Sequence, residues 1–126
     1  MRIITMRVLE GPNIFSYHPV LRVKLDIGRY ETMASNVIPG FVGGLLAVLP
    51  GLRDHQCCRG YRGGFVERLQ EGTYLAHIFE HVALELQFLA GDDVKFGQTR
   101  GAGRTGVYNV VFGFRRAAVA EQAAWQ

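Results

Sequence analysis

The sequence contains few of the residues that crosslink a protein or anchor it in a membrane. Its 126 residues include only two cysteines, Cys57 and Cys58, which are neighbours in the chain. Adjacent cysteines cannot easily bridge each other, so the sequence excludes a disulfide framework and favours a reducing, cytoplasmic location. No apolar run reaches membrane-spanning length, and the first residues have the pattern of a strand rather than of a signal peptide.

A strong charge of either sign is also missing. Fourteen basic and eleven acidic residues give a formal net charge of +3. The basic excess lies in residues 59–68 and 100–116, which contain too few aromatic residues to indicate a nucleic-acid partner. The length is that of one domain, spanning residues 1–126, with enough chain to bury its own core.

Glycine and proline interrupt the chain every few residues except in one stretch, residues 73–90. This stretch predicts a long central helix, with Gly72 and Thr73 at its N-terminal cap and Gly91 as its C-terminal stop. At about 100° per residue, its side chains separate into two faces. The apolar face consists of Leu75, Ile78, Phe79, Val82, Leu86 and Leu89, and the polar face of His77, Glu80, His81 and Glu85.

Three segments have strand character, namely residues 2–9, 20–27 and 107–114. Residues 20–27 alternate apolar and polar side chains, as a half-buried strand does, and we expect them to pair antiparallel with residues 2–9. The sequence therefore predicts an α+β fold, a small and mostly antiparallel sheet packed on the central helix at about 73–90. The helix residues expected to contact the sheet are Leu75, Ile78, Val82, Leu86 and Leu89.

Additional short helices are expected around this unit. Residues 41–49 predict a short apolar helix, and residues 115–126 predict an alanine-rich one. Residues 65–70 lead into the central helix, and residues 52–64 are irregular. Residues 92–106 predict a glycine- and arginine-rich loop at a substrate-facing edge.

The polar face of the central helix contains His77-Ile78-Phe79-Glu80-His81, the H-x-x-E-H spacing of the inverted zincins. Two imidazoles at positions i and i+4 can converge on one Zn²⁺, and the Glu80 carboxylate can take a proton from the attacking water. The alternative is a core helix whose histidines bond to backbone carbonyls and whose glutamates reach solvent. Five residues with two wildcards do not decide between them.

A third metal ligand is less clearly indicated. Glu85 follows His81 by four residues, but ligands on three consecutive helical turns span about 12 Å and strain a tetrahedral site. Glu85 is therefore either a direct ligand or a partner that orients His81. His55 and Cys57 in the irregular segment are reserve metal ligands, although a surface histidine and a small buried cysteine explain them equally well.

Short motifs along nearly the whole chain match one known family. The matching segments are 9–13, 35–36, 38–41, 49–50, 62–65, 71–73, 80–87, 89–91, 96–97, 99–100 and 108–112, with His55, Cys57, Glu67, Arg68, His77 and Gly106. In these residues the chain resembles the N-terminal domain of the cyanophycin synthetases. Together they are far more specific than the H-x-x-E-H motif alone.

The resemblance implies a role in making cyanophycin, a polymer with an aspartate backbone and arginine side groups. Full-length members extend it with ATP and Mg²⁺ in an ATP-grasp domain and a Mur-ligase-like domain. For the N-terminal domain, the resemblance implies a metal-dependent hydrolase that cuts the polymer internally and so makes primers. It implies Zn²⁺ at His77, His81 and Glu85, with Glu80 as the catalytic carboxylate.

The resemblance also implies partners, namely the cyanophycin polymer and the two ligase domains, and it leaves a homo-oligomer of the full-length enzyme open. Arg62 and Arg100 are candidates for binding a substrate carboxylate or stabilising the oxyanion. The alternative is a non-catalytic module for polymer binding and assembly, in which the central helix is structural and the loops bind the polymer. The residue pattern leaves both hypotheses open.

Overall fold

The computed structural model describes residues 1–125, apart from the side chain of Cys58. Its centre is an antiparallel sheet of four strands in the order β1-β2-β4-β3. The strands are β1 (Arg2–Leu9), β2 (Val20–Asp26), β3 (Gly97–Gly101) and β4 (Val107–Gly113). The predicted α+β fold is confirmed.

Four helices lie among the described residues, and the last two of them pack against the sheet. They are α1 (Phe41–Val48), α2 (Gly64–Glu71), α3 (Leu75–Leu89) and α4 (Ala117–Trp125). Single 3₁₀ turns lie at Gly28–Thr32, Ser35–Val37, Pro50–Asp54 and Cys57–Arg59. Gln126, which the predicted C-terminal helix included, lies outside the described residues. Among residues 1–125, every helix is too short or too polar to cross a bilayer.

Strand β2 is one of the two inner strands of the sheet, and its alternating side chains suit a surface that is buried on one face. It pairs with β1 from Leu9 opposite Val20 to Arg2 opposite Asp26, and with β4 on its other side. Its apolar side chains are fully buried. The first, second and fourth strands thus agree closely with the three predicted segments.

One predicted segment was wrong. Residues 92–106 are not one loop, because Gly97–Gly101 pairs with β4 as the edge strand β3. This segment lacks the apolar alternation that would identify a strand, and the ladder to β4 determines its conformation. Residues 65–70, which were expected to lead into the central helix, form most of a separate helix, α2, which ends at Glu71 before Gly72 turns the chain with a φ of 112°.

The face of α3 that contacts the sheet also differs from the prediction. Ala76, Ala83 and Leu84 join the core beneath the sheet, and their small or compact side chains let the helix approach β4 closely. Ile78, Val82 and Leu86 instead pack against a second cluster. That cluster contains Leu46, Leu49, Leu52, Phe65 and Leu69. Leu75 packs against the sheet core as predicted, whereas Leu89 is 63% exposed.

The corrected helix face is tested by two leucines on the same helix. Leu84 is 5% exposed and Leu89 is 63% exposed. Leu84→Ala should therefore lower the free energy of unfolding by about 2–5 kcal/mol, because it leaves a cavity under the sheet. Leu89→Ala should change it by less than about 0.5 kcal/mol. Urea denaturation of both variants measures the difference, and equal losses would contradict this orientation of α3.

Candidate metal centre

A third face of α3 carries the predicted site residues. His77, His81 and Glu85 follow one another at four-residue intervals and face the irregular segment between α1 and α2. That segment brings Cys57 to the two histidines. One potential ligand atom from each of Cys57, His77 and His81 lies within 4.8 Å of the other two. Cys57, His77 and His81 are called the donor cluster below.

His77 is held at both ring nitrogens. Its Nδ1 lies 2.9 Å from the Thr73 hydroxyl, and its Nε2 lies 3.2 Å from Cys57 Sγ. Thr73 is itself fixed, because its backbone N–H donates to the Ser35 hydroxyl and its carbonyl accepts from the Ser35 N–H. The buried Ser35 thus anchors the start of α3, where sequence reasoning expected only a helix cap.

His81 is almost fully buried between an aromatic ring and a second imidazole. Its ring stacks on Phe65, with ring centroids 3.9 Å apart and planes inclined by 18°. Its Nδ1 lies 2.9 Å from Nδ1 of His55. Nε2 of His55 in turn lies 3.0 Å from Oε1 of Glu85. Glu85 therefore contacts His55, and it does not belong to the donor cluster.

Glu80 sits beside the donor cluster and against strand β3. The Thr99 hydroxyl donates to its Oε1 at 2.7 Å, and its Oε2 lies 3.7 Å from Nε2 of His81. A Cβ at Gly97 would lie 2.8 Å from Oε2, so only a glycine lets the strand approach this closely. The edge strand that the sequence did not predict therefore holds the predicted catalytic carboxylate.

Burial determines the charge of the two cluster histidines. Burial lowers the pKa of His77 to about 4, with a further contribution from the nearby Arg68 guanidinium. Burial also lowers the pKa of His81 to about 2, with smaller contributions from His77 and His55. Both imidazoles are thus neutral at pH 7. Burial raises the pKa of Glu80, while the Thr99 hydroxyl and the charge of Arg100 oppose this shift.

These side chains fit a zinc ion. Zinc in proteins is bound by histidine nitrogen and by cysteine sulfur, and the donor cluster offers two histidines and one cysteine. Cys57 has a φ of 57°, in the left-handed region that costs a non-glycine residue about 1–2 kcal/mol. Backbone strain of this kind concentrates at functional sites, where the surrounding structure imposes it.

The comparison with known proteins identifies the family. A family model described as "Cyanophycin synthase-like N-terminal domain" matches residues 22–126. The chain belongs to this family. It is 50% identical to a cyanophycin synthetase of Geminocystis herdmanii, 49% to one of Crocosphaera subtropica and 47% to one of Synechocystis sp., each over 114 residues. These matches cover 89% of the chain and 13% of each relative, so the chain spans a small part of their length.

In this member of the family, the donor cluster and Glu80 open into a cleft of about 740 Å³. Arg100 lines the cleft, and its Nη1 donates to the Thr99 carbonyl at 3.3 Å. Arg62 is exposed and pairs with Asp54 through a contact of 2.6 Å. Arg68, which sequence reasoning did not select, lines the cleft beside His77. Arg68 lies about one turn before the end of α2, and the sequence did not predict this helix.

The lowered pKa values predict a pH dependence of stability. Between pH 6.5 and about pH 4 the unfolded chain binds protons at His77 and His81 that the folded chain does not, so stability falls as the pH falls. The raised pKa of Glu80 has the opposite effect on stability, and it offsets part of the stability that one of the histidines loses as the pH falls. We expect the metal-free chain to lose on the order of 1–3 kcal/mol of unfolding free energy from pH 7 to pH 5.

Urea denaturation in the presence of chelator, at both pH values, measures this loss. His81→Leu should reduce the pH dependence, whereas substitution of the exposed His18 by Gln should leave it unchanged. A free energy of unfolding that stays constant or increases toward pH 5 would contradict the burial of neutral imidazoles.

Proposed function

We propose that this chain is a zinc-dependent hydrolase that cuts cyanophycin internally and so generates primers for polymerisation. The observation that carries the proposal is the convergence of Cys57, His77 and His81 within 4.8 Å of one another, with the Glu80 carboxylate alongside. This arrangement combines neutral metal ligands with a carboxylate that can move a proton. An open cleft gives a polymer access to it.

His77, His81 and Cys57 would hold the metal in this proposal. Cys57 takes the place of third ligand for which Glu85 was considered, because the Glu85 carboxylate contacts His55. A bound Zn²⁺ would act as a Lewis acid on the scissile carbonyl and lower the pKa of water at the site. The lowered imidazole pKa values favour binding, since protons do not compete for the ring nitrogens at neutral pH.

Glu80 carries the proton transfer. Its Oε1 is anchored by Thr99, which leaves Oε2 on the side of His81 free to take a proton from the attacking water. When the amide bond breaks, Glu80 returns this proton to the departing nitrogen. Its raised pKa brings the carboxylate nearer to neutral pH, where a group can work as both base and acid.

The substrate assignment rests on the family and on the cleft. The relatives that the chain matches are cyanophycin synthetases. Each arginine side group of cyanophycin keeps its own carboxylate, so the cationic Arg68 and Arg100 in the cleft wall can bind it. In a full-length cytoplasmic synthetase, the ATP-grasp and Mur-ligase-like domains would extend the cut polymer ends.

The runner-up function is a non-catalytic module that binds the polymer for the ligase domains. The same arginines and cleft would serve it, and the donor cluster would be structural.

The two functions differ in whether the polymer is cut. Isolated chain loaded with Zn²⁺ and incubated with cyanophycin should shorten the polymer, and a chelator should stop this. Unchanged polymer length, with polymer still bound to the protein, would favour the module.

Replacement of Glu80 separates catalysis from metal binding. Glu80→Gln keeps the size of the side chain and its acceptor for Thr99, but it removes the base. We expect a folded protein with near-normal zinc affinity, and cleavage reduced by at least about 10²-fold. His77→Ala should instead lose zinc and cleavage together, because it removes a ligand.

The matched control is Glu121→Gln, which changes an exposed glutamate on α4 and should leave cleavage unaltered. Cleavage rate, bound zinc and melting temperature are measured on the same preparations. If Glu80→Gln retains zinc and cleaves at the normal rate but melts earlier, Glu80 is a structural carboxylate and its assigned role is wrong.

A further inference from the structure

Three buried or half-buried side chains form a continuous line of contacts behind the donor cluster. Glu85 Oε1 lies 3.0 Å from Nε2 of His55, and Nδ1 of His55 lies 2.9 Å from Nδ1 of His81. The side chains of His55 and Glu85 are 16% and 4% exposed. The proposed reaction assigns no role to either side chain, although both are largely buried.

The chemistry of this line determines where the protons lie. A carboxylate can only accept a hydrogen bond, so the bond to Glu85 requires a proton on Nε2 of His55. A neutral imidazole then has a lone pair on its other nitrogen, Nδ1. Because the contact between the two rings needs one donor and one acceptor, His81 must supply the proton from its own Nδ1.

The other nitrogen of His81, Nε2, is therefore unprotonated and carries a lone pair. This nitrogen lies 3.7 Å from Oε2 of Glu80, the carboxylate beside the donor cluster. Neutral histidine otherwise exchanges its proton between two nitrogens, and only the unprotonated one can bind a metal. The state of His81 therefore depends on a carboxylate that it does not touch.

We infer that His55 and Glu85 are positioning residues that hold His81 in the single tautomer able to bind a metal through Nε2. The inference rests on the proposed metal centre and deepens it, since it explains why a second histidine and a second glutamate are buried there. It also gives Glu85 a role through His55 rather than as a direct ligand.

The packing around Glu85 and His81 holds both side chains in place. A Cβ at Gly51 would lie 1.9 Å from Oε2 of Glu85, so the backbone of the Pro50–Asp54 turn closes directly over the carboxylate. On the other side, the Phe65 ring stacks on His81 and is also tilted against His55, with centroids 6.1 Å apart. Rotation of the closely stacked His81 ring would therefore displace Phe65.

The tautomers can be read directly in the metal-free protein. Long-range ¹H–¹⁵N correlation spectra of ¹⁵N-histidine-labelled chain at pH 8 show which nitrogen of each ring is protonated. We expect the proton on Nδ1 of His81 and on Nε2 of His55, while the exposed His18 reports the distribution that solvent alone produces. A proton on Nε2 of His81, or a mixture like that of His18, would overturn the inference without any variant.

Glu85→Ala extends the test to the metal. It should shift His81 toward the distribution seen at His18 and weaken Zn²⁺ binding by about 10- to 100-fold, as loss of a partner behind a ligand does. Competition with a chromophoric chelator measures the affinity for zinc alone. Glu121→Ala, at an exposed position, should change neither. Unchanged tautomer and affinity in a folded Glu85→Ala protein would overturn the inference.

Two further results keep this test separate from that of the proposed function. If Glu85→Ala does not fold, Glu85→Gln should still randomise the tautomer, because an amide can present either a donor or an acceptor to His55. Tautomer and zinc affinity are measured without polymer. An intact Nδ1–H tautomer in a chain that never cleaves cyanophycin would thus refute the hydrolase and leave the positioning role standing.

Discussion

Burial of ionisable side chains beside one helix is the constraint on which the rest of this structure depends. Glu80, His81 and Glu85 are all buried on α3, and each would cost several kcal/mol if left without a partner. The chain supplies those partners from two separate places. Thr99 on the edge strand contacts Glu80, and His55 in the irregular segment contacts both His81 and Glu85. At the start of α3, Thr73, which is held by Ser35, contacts the half-buried His77.

The same partners direct the other side of each group toward the donor cluster. His77 contacts Thr73 through one nitrogen and faces Cys57 with the other. Glu80 is anchored through one carboxylate oxygen, and its other oxygen faces His81. Each group is thus held on one side by a residue outside the donor cluster, while its other side points toward the cluster. Convergence of this kind suits the binding of a metal ion.

Glycine makes this density of polar groups feasible. Gly51 lies directly over the Glu85 carboxylate and Gly97 directly over the Glu80 carboxylate, and at both positions a Cβ would overlap the carboxylate. A substitution at either glycine would therefore move a carboxylate away from its partner. The many glycines that make the sequence look irregular include two that determine where the site residues lie.

Periodic patterns explain which parts of this structure could be predicted. Strands β1, β2 and β4 and helix α3 have strong local signals, so their existence and type followed from the sequence. Strand β3 has no apolar alternation, and its pairing with β4 is a tertiary effect. The contact face of α3 was also missed, because the helix is apolar nearly all round and small residues, not the largest ones, face the sheet.

The H-x-x-E-H spacing indicated where the candidate centre lies on the helix, but it did not determine the neighbours of each group. His77, Glu80 and His81 are brought together by the helix period alone. The approach of Cys57 to His77, and of His55 to both His81 and Glu85, depends on how residues 50–57 fold over α3. No local pattern encodes such contacts, which is why Cys57 and His55 were only reserve ligands in the sequence.

The most direct test of the central claim is X-ray absorption spectroscopy of the chain loaded with one equivalent of Zn²⁺. The spectrum should show a first shell with one sulfur at about 2.3 Å and two imidazole nitrogens at about 2.0–2.1 Å. That shell corresponds to Cys57, His77 and His81 as the ligands. A shell of oxygen and nitrogen without sulfur, or zinc that washes off the protein, would contradict it.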